Sequence, residues 1–75
     1  MLGRRKPYSA LGIRRVPCAR CGEPSTQQWQ ACANDNLYVG VCTACDVELN
    51  RMVLAFFRFD HVDDRVALYA ARLVS

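Results

Sequence analysis

Pro17-Cys18-Ala19-Arg20-Cys21-Gly22 and Cys42-Thr43-Ala44-Cys45-Asp46-Val47-Glu48-Leu49 are the two stretches that decide the fold. Each carries a Cys-x2-Cys pair, and twenty residues separate Cys21 from Cys42. That spacing points to one four-thiolate site, Cys18, Cys21, Cys42 and Cys45, holding a single Zn²⁺ per chain. A Cys-x2-Cys turn lets two sulfurs converge on one ion, and two such turns satisfy the tetrahedral preference of zinc. Gly22 permits a tight knuckle after the second sulfur, with backbone N–H groups turned toward the thiolates. Arg20 offsets part of the negative charge of such a centre. The competing readings of the same cysteines are iron in a rubredoxin-like centre, two disulfides, or inert buried thiols. An odd cysteine count and a leader without secretory character argue against disulfides. Cys32 has no Cys-x2-Cys partner and is expected to pack as a small buried hydrophobe in mid-strand.

Outward from the pairs, the chain changes character three times. Residues 1–16 have no helical or strand period and are punctuated by Gly3, Pro7 and Gly12, which predicts a basic extended arm. After the Pro24-Ser25 break, Gln27–Ala33 and Leu37–Val41 read as strands of a β-hairpin turned by Asn34-Asp35-Asn36. From Cys42 the period becomes helical. Leu49, Met52, Val53, Phe56, Phe57 and Phe59 fill an arc of about 160°, which is expected to be buried. Val47 and Leu54 fall on a second, narrower seam flanked by Arg51 and Arg58, and are expected to face solvent. Asp60, Asp63 and Asp64 crowd the start of a further helix, where carboxylates cap N–H groups and meet the positive end of the dipole. Val62, Val66, Tyr69, Ala70 and Leu73 form the apolar face of that helix.

Knuckle, hairpin, then a helix whose first turn supplies the second cysteine pair is an order that resembles treble-clef zinc fingers. The resemblance covers roughly Pro17 to Phe59 and rests on the two Cys-x2-Cys stretches. It implies a small zinc-stabilised α+β fold, with a treble-clef-like finger over 17–59, the arm over 1–16, and a second short helix over 60–75 packing on the finger. A zinc ribbon fits less well, because it needs strands where Asp46–Phe59 reads helical. Gln28-Trp29-Gln30-Ala31-Cys32-Ala33, with Cys45-Asp46-Val47-Glu48-Leu49-Asn50, also resembles small zinc-binding proteins of unknown function in bacterial and phage genomes. Treble clefs include nucleases of the HNH type, which this chain resembles in its Cys-x2-Cys pairs. Asp46 stands where those enzymes carry Asn, and residues 22–41 lack the hairpin histidine that activates water. The one histidine, His61, lies beyond the finger's helix and reads as a surface or capping residue. The expectation is that the chain is not an enzyme and has no small-molecule substrate.

Charge supplies the partner. With 75 residues there is room for one small domain, and 52% hydrophobic content is that of a globular chain. The formal +3 is unevenly spread: residues 1–20 carry six basic groups and no acid, residues 21–75 four arginines and seven acids. Arg4, Arg5, Lys6, Arg14, Arg15 and Arg20 therefore form an electrostatic foot for an anionic partner. The expected partner is nucleic acid or a nucleic-acid-processing protein complex, with Tyr8, Trp29 and Tyr38 available for stacking if exposed. The alternative is a protein-binding adaptor or inhibitor, of the kind a phage encodes, or a homodimer. Val47, Leu54, Arg51 and Arg58 would then form the contact. The longest apolar runs, Met52–Phe57 and Val66–Ala71, are six residues each, against the ~20 that a spanning helix needs. No membrane association is expected, and the persistence of thiols suggests a cytoplasmic setting.

Overall fold

The computed structural model describes residues 6–74. Their order is a 3₁₀ turn at Ile13–Arg15, strand β1 (Gln27–Gln30), a 3₁₀ turn at Cys32–Asn34, strand β2 (Tyr38–Val41), helix α1 (Thr43–Phe56) and helix α2 (Val62–Val74). This is a small α+β chain with one antiparallel hairpin and two helices. It divides into two compact units, 1–42 and 43–75.

The first unit is built from turns around a two-stranded sheet. β1 and β2 pair in the register Gln27↔Val41, Gln28↔Gly40, Trp29↔Val39 and Gln30↔Tyr38. The turn begins earlier than the sequence pattern suggests. The Asn34 and Asn36 amides both donate to the Ala31 carbonyl, at 3.0 and 3.2 Å, so the chain coils after Gln30 instead of continuing as strand. Asp35 and Asn36 adopt φ of 54° and 58°, the left-handed region that short polar side chains tolerate. Cys32 therefore sits on this coiled loop and is exposed. The expectation that it packs inside mid-strand is wrong, because the strand ends two residues before it.

The leader folds back on the hairpin. The side-chain amide of Gln28 clamps the Tyr8 main chain: Oε1 accepts from the Tyr8 N–H at 2.8 Å and Nε2 donates to the Tyr8 carbonyl at 2.9 Å. Ser9 then nucleates a turn, its Oγ accepting from the Gly12 N–H at 2.9 Å and its carbonyl from the Ile13 N–H at 3.0 Å. Ile13 is buried beneath that turn. Lys6–Val16 is thus not extended throughout. Arg4 and Arg5 lie outside the described residues.

The second unit is a helix pair. Its interface is set by a polar contact: the Tyr69 hydroxyl donates to the Asp46 carboxylate, which is only 2% exposed. Val66 is likewise 2% exposed. Val62, Tyr69, Ala70 and Leu73 are half-buried around it, so α2 presents the expected face. α1 does not. Its covered stripe is Asp46, Leu49, Asn50, Val53 and Leu54, with Val47 half-buried beside it. Met52, Phe56 and Phe57 are 61%, 78% and 65% exposed. The helix is rotated by roughly a quarter turn from the expected arc. Apolar periodicity cannot see that Asp46 and Asn50 belong to the inner stripe, since the Asp46–Tyr69 hydrogen bond is what makes burial of a carboxylate tolerable.

α1 stops in a Schellman cap. The Phe59 N–H donates to the Leu54 carbonyl and the Arg58 N–H to the Ala55 carbonyl, each at 3.1 Å, and Arg58 takes φ 58°. α2 starts at once. Asp63 and Asp64 occupy its first turn, Asp63 pairs with Arg51, and the Asp60 carbonyl accepts from Arg65 Nε at 2.8 Å. The Arg65 guanidinium lies 5.5 Å above the Phe59 ring. No helix of the described residues is long and apolar enough to cross a membrane.

Candidate metal centre

The knuckle is closed by main-chain contacts before any ion is considered. Pro17 and Pro24 form an antiparallel bridge. On either side of it, the Cys18 N–H donates to the Glu23 carbonyl at 2.6 Å and the Ser25 N–H to the Val16 carbonyl at 3.0 Å. Inside the loop the Gly22 N–H returns to the Cys18 carbonyl at 2.9 Å. Gly22 takes φ 85°, and a Cβ built there meets nothing within 4 Å. Torsion, not space, reserves that position for glycine.

The knuckle is then anchored to β2. The Ala19 N–H donates to the Gly40 carbonyl at 2.8 Å and the Thr26 N–H to the Val41 carbonyl at 2.9 Å. Here space decides. A Cβ at Gly40 would sit 2.8 Å from Ser25 Cβ and 3.0 Å from Val16 Cγ1, and would collide with the Ser25 hydroxyl. The close approach that Gly40 permits sets Cys42, two residues later, beside the first cysteine pair. Cys45 follows from the first turn of α1.

The four sulfurs of Cys18, Cys21, Cys42 and Cys45 all lie within 4.8 Å of one another. Cys21 Sγ and Cys42 Sγ are 3.6 Å apart. A tetrahedral ion with metal–sulfur bonds of ~2.3 Å places its sulfurs about 3.8 Å apart, so the quartet is close enough to share one metal ion. No disulfide joins any of the five cysteines. Cys18 is buried, Cys42 and Cys45 are half-buried, and Cys21 is exposed at the rim.

The electrostatics favour thiolate. The Cys18 thiol is lowered from 9.0 to about 6, first by the Cys21 backbone N–H and next by that of Cys42. Burial opposes the shift, and the Arg20 N–H and the Cys21 side chain assist it. The thiolate is the metal-ligating form, and hydrogen bonds from main-chain donors are what stabilise it.

Comparison with known proteins finds no family model, no curated sequence and no solved structure that matches this chain. The reading of the site rests on its own geometry.

Among the described residues, the cysteine quartet is the only cluster of three or more His, Cys, Asp or Glu placed to share an ion. Asp60, Asp63 and Asp64 form no second one. His61 is exposed, with φ 56° and Nδ1 4.0 Å from an Asp64 oxygen. Of the basic residues, Lys6, Arg14, Arg15 and Arg20 are exposed. Among the stacking candidates Tyr8 is exposed, while Trp29 and Tyr38 are half-buried. Arg51 and Arg58 are exposed, but Val47 and Leu54 are half-buried rather than solvent-facing, so the apolar seam drawn between the two arginines is displaced. Met52, Phe56 and Phe57 are among the exposed large apolar residues, with Phe56 and Phe57 packed edge to face at 5.1 Å between ring centroids.

Two structural positions escaped the pattern reading. The Gln28 clamp on Tyr8 leaves no signal in sequence, because any glutamine on a strand looks alike. Asp46 leaves none either: Glu48 stands two residues on, and only the Tyr69 partner sets Asp46 apart.

Proposed function

We propose that this chain is a non-enzymatic zinc-binding interaction module whose partner is nucleic acid or a nucleoprotein machine. The observation that carries the metal half is the sulfur quartet, close enough for its four thiolates to share one ion, which supports a Zn(Cys)₄ site. Four thiolates fill the coordination of a tetrahedral ion and leave no position for substrate or water, which is the property of a structural site. The order of knuckle, hairpin and a second pair at the start of the helix supports a treble-clef arrangement. Support for the partner comes from charge: the basic groups of the first twenty residues have no acid among them, and the described ones are exposed.

The test has two readouts. Metal analysis of the purified chain is expected to return one zinc per chain, and zero equivalents would remove the metal reading. Binding to a labelled DNA duplex is expected to weaken steeply with salt. No binding at low salt would remove the nucleic-acid reading and leave the zinc site standing.

A second reading is favoured by the exposed Met52, Phe56 and Phe57. A protein partner or a second copy of the chain would cover such a surface. It predicts that a Phe56→Ser, Phe57→Ser variant keeps its zinc and its helix content, yet loses an association visible by sedimentation in the parent chain. A parent chain that sediments as a monomer and binds no partner would end it.

A further inference from the structure

Beside the knuckle, Arg14, Arg15, Val16, Pro17, Gly22 and Pro24 line a shallow open cleft. Both arginines come from the turn that Ser9 nucleates, and both are exposed. Among the described residues neither guanidinium has an acidic partner. The rest of the lining offers little competition for an anion. Pro17 and Pro24 have no N–H, Val16 is aliphatic, and the Gly22 N–H is already spent on the Cys18 carbonyl. Apolar walls beside two arginines concentrate the field of their positive charges in the cleft, and the space beside Gly22 is open.

We infer that this cleft seats one phosphodiester group of a nucleic-acid backbone, held by Arg14 and Arg15 against the proline-walled knuckle. The inference rests on the nucleic-acid reading above and deepens it. It turns a diffuse charge into one located contact, in which forked guanidinium donors meet phosphate oxygens. The rival explanation is that the two arginines serve only to neutralise the thiolate centre.

The zinc-loaded full chain, titrated by fluorescence anisotropy against a short labelled DNA duplex, separates these cases. Arg14→Gln, Arg15→Gln is expected to keep its zinc and to bind at least about tenfold more weakly. It should also lose roughly 0.9 from the slope of log K against log salt, the amount for one phosphate contact. Arg14→Lys, Arg15→Lys keeps the charge and the slope but loses the fork, and is expected to bind several-fold more weakly than the parent. A Gln variant that binds like the parent, a Lys variant with full affinity, or a Gln variant that loses zinc instead of DNA would each overturn the seat. These failures differ from failure of the underlying reading, in which the parent chain itself binds no DNA at low salt. Titration of the parent with inorganic phosphate, followed by NMR, gives an independent readout. The Gly22 amide and the Arg14 and Arg15 Nε signals are expected to shift, and unmoved signals would overturn the seat.

Discussion

Residues 1–42 and residues 43–75 are held together by different physics. The first unit has few buried side chains, chiefly Ile13, Cys18, Ser25 and Val41, and its order comes from short loops closed by main-chain hydrogen bonds, with three of the four clustered thiols, Cys18, Cys21 and Cys42, among them. The second is a helix pair with conventional 3.6-residue elements, a buried valine and a buried carboxylate hydrogen-bonded to a half-buried tyrosine. A unit that cannot bury enough apolar surface depends on a cross-link. A helix pair depends on which stripe of each helix faces inward. The two are therefore vulnerable to different perturbations.

Metal removal should produce the largest difference. Structural zinc in a small site contributes on the order of 10–16 kcal/mol of apparent binding free energy, more than a domain of this size retains in net stability. A strong chelator is expected to collapse the amide dispersion of the hairpin while the helical circular dichroism falls much less. Simultaneous loss of both signals would mean that the two units are not energetically distinct.

The polar pair is the corresponding weak point of the helices. Tyr69→Phe leaves the buried Asp46 carboxylate without that donor and is expected to cost about 1–3 kcal/mol. Replacing both partners, Asp46→Leu with Tyr69→Phe, should recover part of the loss, since the carboxylate is then no longer buried without its tyrosine donor. Denaturant unfolding of the two variants measures this, and a double variant worse than the single would show that Asp46 has a further structural duty. The same pair fixes an alkaline limit. Burial, then the hydrogen bond and charge of Asp46, push the Tyr69 hydroxyl from 10.0 up to about 12. Protonated Tyr69 is therefore favoured by folding. Its contribution is complete below pH 10 and is lost as pH rises through 12. Tyr69→Phe is expected to remove that part of the alkaline transition.

The smallest effect sharpens the contrast at the level of one residue. Gly22 and Arg58 both sit in left-handed backbone, at φ 85° and 58°, but only the first is glycine. Arg58→Gly should stabilise the chain by about 1 kcal/mol by relieving the Cβ strain of the Schellman cap. A measured loss would show that the Arg58 side chain makes compensating contacts.

The two units also differ in how far they can be read from sequence. The metal centre was legible because its signal is discrete: four cysteines at fixed spacing and a glycine at the knuckle admit few arrangements. The inner face of α2 was legible too, since its apolar residues are the ones covered. α1 was not, because a summed apolar arc weighs Phe56 and Phe57 heavily and gives Asp46 no weight. The actual interface depends on a partner 23 residues away. Cys32 was misplaced for a related reason. Strand propensity says where a strand is comfortable, not where two amides converging on the Ala31 carbonyl will end it.

That exposed loop thiol gives the molecule a built-in reporter. Four sulfurs clustered at one centre and a fifth standing in solvent divide the cysteines into two kinetic classes once metal is held. A mild alkylating reagent should then take up one label per chain quickly and the remaining four only as the ion dissociates. Mass spectrometry of the labelling time course would read out the lifetime of the metal centre directly, with Cys32 as the internal clock.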